Sequence, residues 1–327
     1  MDRLHKFLFD GLAVRGMLVR LDEGWRELLS RRASPSDGGH AFGLPVRELL
    51  GEMAAAACLM QANLRFNGAL ILQLHGDGAV KLAVAEAQAD LRFRVTAKVV
   101  GPVADDAGFE AMLNPHGQGR CAITLDPEAR LPGQQPYQGV VPLYGDQREP
   151  LQCLSDVLAH YMLQSEQLDT RLVLAANDET AAGLLIQRLP IAGAANLAGA
   201  SAAVARDEDH IGRNEDFNRI ALLAATLTRE ELLGLGPEAV LQRLFWQEPL
   251  RLYEPQTPRF ACRCSRERVA NMLRGLGADE VRGIIAERGE VEVGCDFCGA
   301  LQRFDPVDVD GLFTSARDQP PASGGLQ

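Results

Sequence analysis

Two cysteine pairs, Cys262-Arg263-Cys264 and Cys295-Asp296-Phe297-Cys298, constrain this chain more than any other feature. Four thiolates around one tetrahedral ion, each sulfur about 2.3 Å away, need two tight turns brought face to face, and a C-x-C opposite a C-x-x-C supplies them. Gly299 follows the second pair, where a residue free to take positive φ lets the turn close. Between the pairs the pattern predicts a helix capped by Ser265, carrying Val269, Met272, Leu273 and Leu276 at i, i+3, i+4 and i+7, and ended by Gly277. A second short helix through Val281, Ile284 and Ile285 stops at Gly289, and residues 290–293 alternate like a strand running into Cys295. Such a site has no spare position for substrate or water, so one non-catalytic Zn²⁺ is expected on Cys262, Cys264, Cys295 and Cys298. Arg259, Arg263, Arg266 and Arg268 surround the first pair with positive charge, which favours thiolate. Residue chemistry alone leaves structural zinc and redox-responsive zinc both open.

A chain of 327 residues can bury one sizeable core and one or two smaller units, and 46% hydrophobic with 24% charged residues is the balance of a globular protein. The net charge of −11 opposes a nucleic-acid role, which clustered basic charge would supply. Residues 259–303 are no exception, since eight arginines there face seven acids. The apolar stretch 7–14 is short and broken by Asp10, unlike a signal peptide, and no run approaches the ~20 apolar residues of a membrane span. The expectation is a cytoplasmic protein that engages neither nucleic acid nor membrane, a setting in which clustered cysteines mean metal or redox chemistry. Cys58, Cys121 and Cys153 lie in apolar patterns and are expected to be core packing. No histidine spacing suits a metalloenzyme and no nucleophile sits in a known motif, so no enzyme is expected. His116 reads as a turn residue, and the β-like residues after Gly117-Gln118-Gly119 argue against a phosphate loop.

Along the chain, strands are expected at 14–21, 69–74, 80–85, 91–100, 119–125, 137–143, 171–176 and 182–189. Helices are expected at 23–30, ended by Arg31 and Arg32, at 44–64 and at 151–168. The 44–64 helix, with Leu49, Met53, Ala56, Ala57, Met60 and Leu64 near helical spacing, reads as a buried central element. Tight turns and no regular βαβ crossovers make residues 1–190 one α+β domain. Composition shifts to Ala and Gly after Pro190 and to charge at 206–210, which marks a boundary. Residues 191–258 read as a helical linker: Asn214 caps one helix, Thr228 and Glu231 form a capping box for the next, and Pro237 opens a third. Helices this short are marginal alone and must borrow stability from a neighbour, to which Leu222, Leu223, Leu227, Leu232, Leu233, Leu235, Leu241, Leu244, Phe245 and Trp246 offer apolar surface. Residues 259–315 form the small four-cysteine domain, and 316–327, rich in Pro, Gly and Ser, are expected to be disordered.

The run Cys262-Arg263-Cys264-Ser265-Arg266-Glu267-Arg268, with Glu290-Val291-Glu292-Val293-Gly294-Cys295-Asp296-Phe297-Cys298-Gly299, resembles the C-terminal switch of the 33 kDa redox-regulated heat-shock chaperone family. Residues 2–9 followed by Val14-Arg15-Gly16, and Tyr161 with Gln164-Ser165-Glu166-Gln167, extend the resemblance over nearly the whole chain. Met162 departs from it, standing where an aromatic residue is expected. The resemblance implies an ATP-independent holdase, inactive while the four cysteines hold zinc and activated by peroxide or hypochlorous acid under heat. It further implies disulfides Cys262 to Cys264 and Cys295 to Cys298 in the oxidised form, and a homodimer that holds unfolded or partly unfolded clients. A zinc-ribbon adaptor that binds a folded partner without redox switching is the rival expectation. Within the redox reading the distal pair is expected to oxidise first, because a C-x-C disulfide closes a smaller and more strained ring, although the neighbouring arginines pull the other way.

Overall fold

A computed structural model of the chain describes residues 1–33, 41–64, 66–129, 133–189 and 214–314. In chain order, β1 (Arg3–Phe9) and β2 (Val14–Leu21) precede α1 (Glu23–Ala33) and the long α2 (Leu44–Asn63). Then come β3 (Gly68–His75), β4 (Val80–Gln88), β5 (Arg92–Val99), α3 (Phe109–Leu113), β6 (Arg120–Pro127), β7 (Tyr137–Pro142), α4 (Leu154–Glu166), β8 (Thr170–Ala176) and β9 (Ala181–Arg188). Helices α5 (Glu215–Ala225), α6 (Arg229–Gly234) and α7 (Pro237–Phe245) lead through β10 (Leu250–Leu252) and β11 (Arg259–Phe260) to α8 (Arg266–Leu276), α9 (Ala278–Arg288), β12 (Val291–Gly294), β13 (Leu301–Phe304) and α10 (Pro306–Phe313). The architecture is α+β, as expected. Two compact units emerge, Met1–Leu29 with Phe42–Ala261, and the described parts of Ser30–Ala41 and Cys262–Gln327.

In the larger unit, α2 is apolar on all sides from Met53 to Met60, a pattern that suits only a helical segment enclosed by protein. Leu50, Met53, Cys58, Leu59 and the run Ala54 to Ala57 are fully buried. The helix packs on β2, β8 and β9 of a five-stranded sheet ordered β10-β1-β2-β9-β8, and on β3, β4 and β5 of a six-stranded sheet ordered β11-β5-β4-β3-β6-β7. All ladders are antiparallel except β11 on β5. At its start the chain is anchored by Asp2, whose carboxylate accepts the N–H groups of Asp22, Glu23 and Gly24 at 2.6, 2.8 and 2.9 Å and so caps α1 from a distance in sequence.

Strand β9 is buried at every position, so both faces of the five-stranded sheet are covered. Alternation assigns the faces: Ala182, Leu184 and Ile186 join Phe7, Phe9, Val14 and Leu18 in a cluster with Phe217, Ile220, Leu227, Leu241, Leu244 and Phe245. Helices α5 to α7 therefore form the outer cover of a sheet whose inner face meets α2. Phe245 docks on Phe7 and Phe9, with ring centroids 6.1 and 5.0 Å away. Gly16 makes room for this stack, because a Cβ there would lie 2.2 Å from the Phe7 ring. Arg20 donates to the carbonyls of Leu233 and Leu235 at 2.8 and 3.1 Å, where α6 ends, and Arg229 pairs with Glu48 at 2.6 Å. Asn214 accepts the Phe217 N–H at 2.7 Å and the Thr228–Glu231 capping box forms, as expected.

Some expectations need correction. Helix α1 continues through Arg31 and Arg32 to Ala33, since arginine is a good helix former and a cation in the last turn suits the helix dipole. The 151–168 helix is shorter, Leu154–Glu166. Of the apolar residues expected to cover a neighbour, Leu222 on α5 and Trp246 after α7 are 70% and 72% exposed and take no part in the packing. Cys58 and Cys121 are fully buried, but Cys153, at the N-cap of α4, is only half-buried. The boundary at 190–210 and the tail 316–327 lie outside the described residues.

Glu52, half-buried on α2, has its pKa raised to about 8, chiefly by desolvation, with Arg229 opposing the rise and Glu48 adding to it. A carboxyl whose folded pKa exceeds its unfolded value favours folding while protonated, and that contribution is lost as pH rises from the unfolded value of 4.5 through about 8. Glu52→Gln should therefore melt with the parent near the acid end of this window, above it by a margin that widens as pH rises from 4.5 to about 8, and by a constant margin beyond that. Thermal unfolding across the window measures this; a constant gap between parent and variant would reject it.

Candidate metal centre

Each cysteine pair is presented by its own local structure in the smaller unit. Cys262 and Cys264 lie in extended chain just ahead of α8, whose N-cap Ser265 accepts the Arg268 N–H at 3.2 Å. Cys295 and Cys298 sit at the tip of the β12–β13 hairpin, where Cys295 N–H donates to the Ala300 carbonyl and Gly299 N–H to the Cys295 carbonyl at 2.9 and 2.8 Å. Gly299 has φ +75°, the left-handed conformation expected for it.

The fold brings all four sulfurs within 4.8 Å of one another. Cys262 Sγ is 3.5 Å from Cys295 Sγ, and Cys264 Sγ is 3.4 Å from Cys298 Sγ. A tetrahedral ion with sulfur ligands at about 2.3 Å places those ligands about 3.8 Å apart, so the set fits one thiolate-bound metal. Soft sulfur donors in this arrangement suit zinc or iron and not the hard cations. Contact among the thiols also splits their titration: hydrogen bonds from Cys295 and Cys298 hold Cys262 well below the ordinary thiol range, while hydrogen bonds to Cys262 and Cys295 push Cys298 up. Burial raises Cys264 to about 11. A dication bound among these sulfurs would compensate the thiolate charge that its binding requires. The remaining cysteines stay apart from this cluster, with burial raising Cys121 to about 12 and Cys153 to about 11.

Sequence reasoning gave the neighbouring arginines one role, tuning of the first pair, and the structure assigns Arg266 another. Its guanidinium lies 4.2 Å from the Phe304 ring centroid, donates to the Arg303 carbonyl at 2.6 Å and pairs with Asp308 at 2.6 Å. It ties α8, which follows the first pair, to β13 and α10, which follow the second. Beneath it is a small core of Ala270, Leu273, Val281, Val291, Phe304 and Val309. The helix face matches the expected one in part: Leu273 is buried and Val269 packs beside it, but Ala270 completes the face while Met272 and Leu276 are 47% and 53% exposed. Helix α10 went unread although its signal was present, since Asp305 and Asp308 form a capping box with Pro306 at the first position.

Elsewhere His116 is an exposed turn residue, and strand β6 follows Gly119, as expected. Among the described residues no helix is long and apolar enough to cross a membrane.

A family model described as Hsp33 protein matches residues 2–305. The 33 kDa chaperonin of Chromobacterium violaceum is 46% identical over 312 residues, covering 95% of this chain and 94% of that protein. That of Methylobacillus flagellatus is 40% identical over 315 residues, covering 96% and 95%. The crystal structure of a 33 kDa chaperonin from Thermotoga maritima shares the fold, with a TM-score of 0.71 at 19% identity over 95% of this chain and 98% of that one.

Proposed function

The chain belongs to the Hsp33 family, and from that premise we propose that it is an ATP-independent holdase whose client surface is masked until a four-cysteine zinc site is oxidised. Cys262, Cys264, Cys295 and Cys298 would hold one Zn²⁺, which keeps the sulfurs as thiolates and cross-links the two halves of the smaller unit. The division of labour follows the chain: residues 1–190 bind clients and dimerise, 191–258 regulate, and 259–315 sense the oxidant. Each two-electron oxidation joins the two cysteines of one sequence pair, Cys295 with Cys298 first and Cys262 with Cys264 second. Once the ligands are consumed, a binding free energy of about 10–16 kcal/mol no longer supports the small core.

One observation carries the masking step. The outer face of the five-stranded sheet is covered by three helices of 11, 6 and 9 residues, each below the length that is stable alone. A cover of this kind is at the low-stability end of a fold, and its departure exposes two complementary apolar surfaces at once. The chain past α7 runs through β10 and β11 directly to Cys262, so disorder after the metal site opens has a short path to the cover. The proposed setting is the cytoplasm, with unfolding proteins as partners and a homodimer as the active form.

The test is light scattering of a heat-unfolding client with the reduced, zinc-loaded protein and with the peroxide-treated protein. Protection after treatment only is the expected result. Equal behaviour before and after would return the chain to the reading of an adaptor with a structural metal.

A further inference from the structure

The smaller unit has a groove beside the cysteine cluster, of about 220 Å³, lined by Val269, Met272 and Val293 together with Cys264, Cys295 and Arg268. It takes one cysteine from each pair and leaves out Cys298, which is 2% exposed. Met272 belongs here and not to the core: the helical pattern marks it as apolar packing, yet it is 47% exposed and adjoins the groove. A flexible thioether is suited to line a surface that must accept a separate molecule. At this volume the groove falls below the roughly 300–1,000 Å³ of sites for drug-sized ligands, so it suits a compact occupant.

We propose that this groove is a docking site for apolar organic hydroperoxides, which it delivers to the sulfur of Cys295. The assignment rests on the redox reading above and names the oxidant class for that same site. Three features select it. Apolar walls of valine and methionine gain from covering a hydrocarbon group, which hydrogen peroxide lacks. Sulfur lines the same groove, so a docked peroxide meets its reductant. Arg268 also lines the groove, with one N–H on the Arg263 carbonyl at 3.0 Å, and its charge favours the alkoxide that leaves there.

The step balances. The Cys295 sulfur attacks the terminal peroxide oxygen, an S–O bond forms and the O–O bond breaks, and the departing alkoxide takes up a proton to leave as the alcohol. The Cys298 sulfur then attacks the sulfenic sulfur, the S–S bond forms, the S–O bond breaks, and hydroxide takes up a proton to leave as water. Two electrons pass from the sulfur pair to one hydroperoxide. Cys298 is suited to resolve, because its burial withholds it from the oxidant while its sulfur lies within 4.8 Å of that of Cys295, on the same hairpin tip.

The experiment compares cumene hydroperoxide with hydrogen peroxide on the reduced, zinc-loaded full chain, following zinc release with a chromogenic chelator and disulfides by peptide mapping. The rate with cumene hydroperoxide should saturate with concentration and exceed that of hydrogen peroxide by about tenfold at low concentration, a ratio that ~1.4 kcal/mol of differential binding supplies. Cumyl alcohol, which fills the groove without oxidising, should slow the first reaction and spare the second. Met272→Asp should bring the two rates together, and Met272→Leu should keep them apart, which separates docking from oxidation of the methionine itself. Unsaturating rates with no preference, while hydrogen peroxide still forms the disulfide, would overturn the groove and leave the redox reading standing. Failure of both oxidants to form it would overturn the redox reading, and this assignment with it.

Discussion

Replacing Cys298 by serine is expected to abolish stoichiometric zinc in the reduced protein and to loosen the smaller unit throughout. Cys298 Sγ lies 3.4 Å from Cys264 Sγ inside a cluster that spans no more than 4.8 Å, and the residue is 2% exposed, so a lost ligand is not replaced by a nearby group. Removal of a ligand should cost more than the roughly 10–100-fold in affinity that loss of a supporting contact costs. The small core of Ala270, Leu273, Val281, Val291, Phe304 and Val309 has little else to hold it. Ion pairs such as Arg266 with Asp308 are half-exposed and add about 0–1 kcal/mol each. Hydrogen exchange in β12 and β13 should accordingly rise towards that of unfolded chain. The same substitution at Cys262, Cys264 or Cys295 should behave alike, and Cys153→Ser, outside the cluster, should retain full zinc. Metal analysis of the reduced parent decides the matter: no zinc there ends this reading.

Phe245→Ala is expected to open the cover of the five-stranded sheet without any oxidant. Phe245 is 2% exposed and stacks on Phe7 and Phe9, and truncating a buried phenylalanine costs about 3–5 kcal/mol. Helices of 11, 6 and 9 residues cannot absorb that loss from their own hydrogen bonds. Protection of amides 214–246 should fall by about a hundredfold or more in the reduced, zinc-loaded variant, while α2 and β9 keep theirs. The variant should also hold clients before oxidation, as the parent does only after it. Oxidation of the parent should reproduce the exchange pattern of the variant. Equal protection of 214–246 in parent and variant, or in reduced and oxidised parent, would count against release of the cover.

The contrast between α8 and α7 shows where sequence reading succeeded and where it stopped. Ser265, Gly277 and Pro237 marked helix ends correctly, because capping is a local exchange between a side chain and the orphan amides beside it. The buried face of α8 was half legible: Leu273 and Val269 pack as the helical period predicts, but Ala270 joins them while Met272 and Leu276, on the same period, stay exposed. Periodicity reports that a helix has an apolar side and leaves the partner to choose it. Strands β10 and β11, of three and two residues, carry no readable pattern; they exist because β1 and β5 offer unpaired edges. In β1 the polar residues Arg3, His5 and Lys6 hid a strand whose Phe7 and Phe9 form the seat for Phe245.

What the sequence determined by itself was the chemistry of the metal centre: four thiols at C-x-C and C-x-x-C spacing, with Gly299 free to take the φ of +75° that closes the second turn. It also determined the central helix, the caps of α5 and α6 and the α+β class, all of which follow from short-range geometry and composition. Only the tertiary structure decided that α5 to α7 lie on the outer face of the five-stranded sheet, that Arg266 joins the two halves of the smaller unit, and that Met272 and Cys295 share one groove. These are contacts between residues tens to hundreds of positions apart. A local pattern records the apolar area or charge a residue has to offer, and the fold selects the surface that receives it.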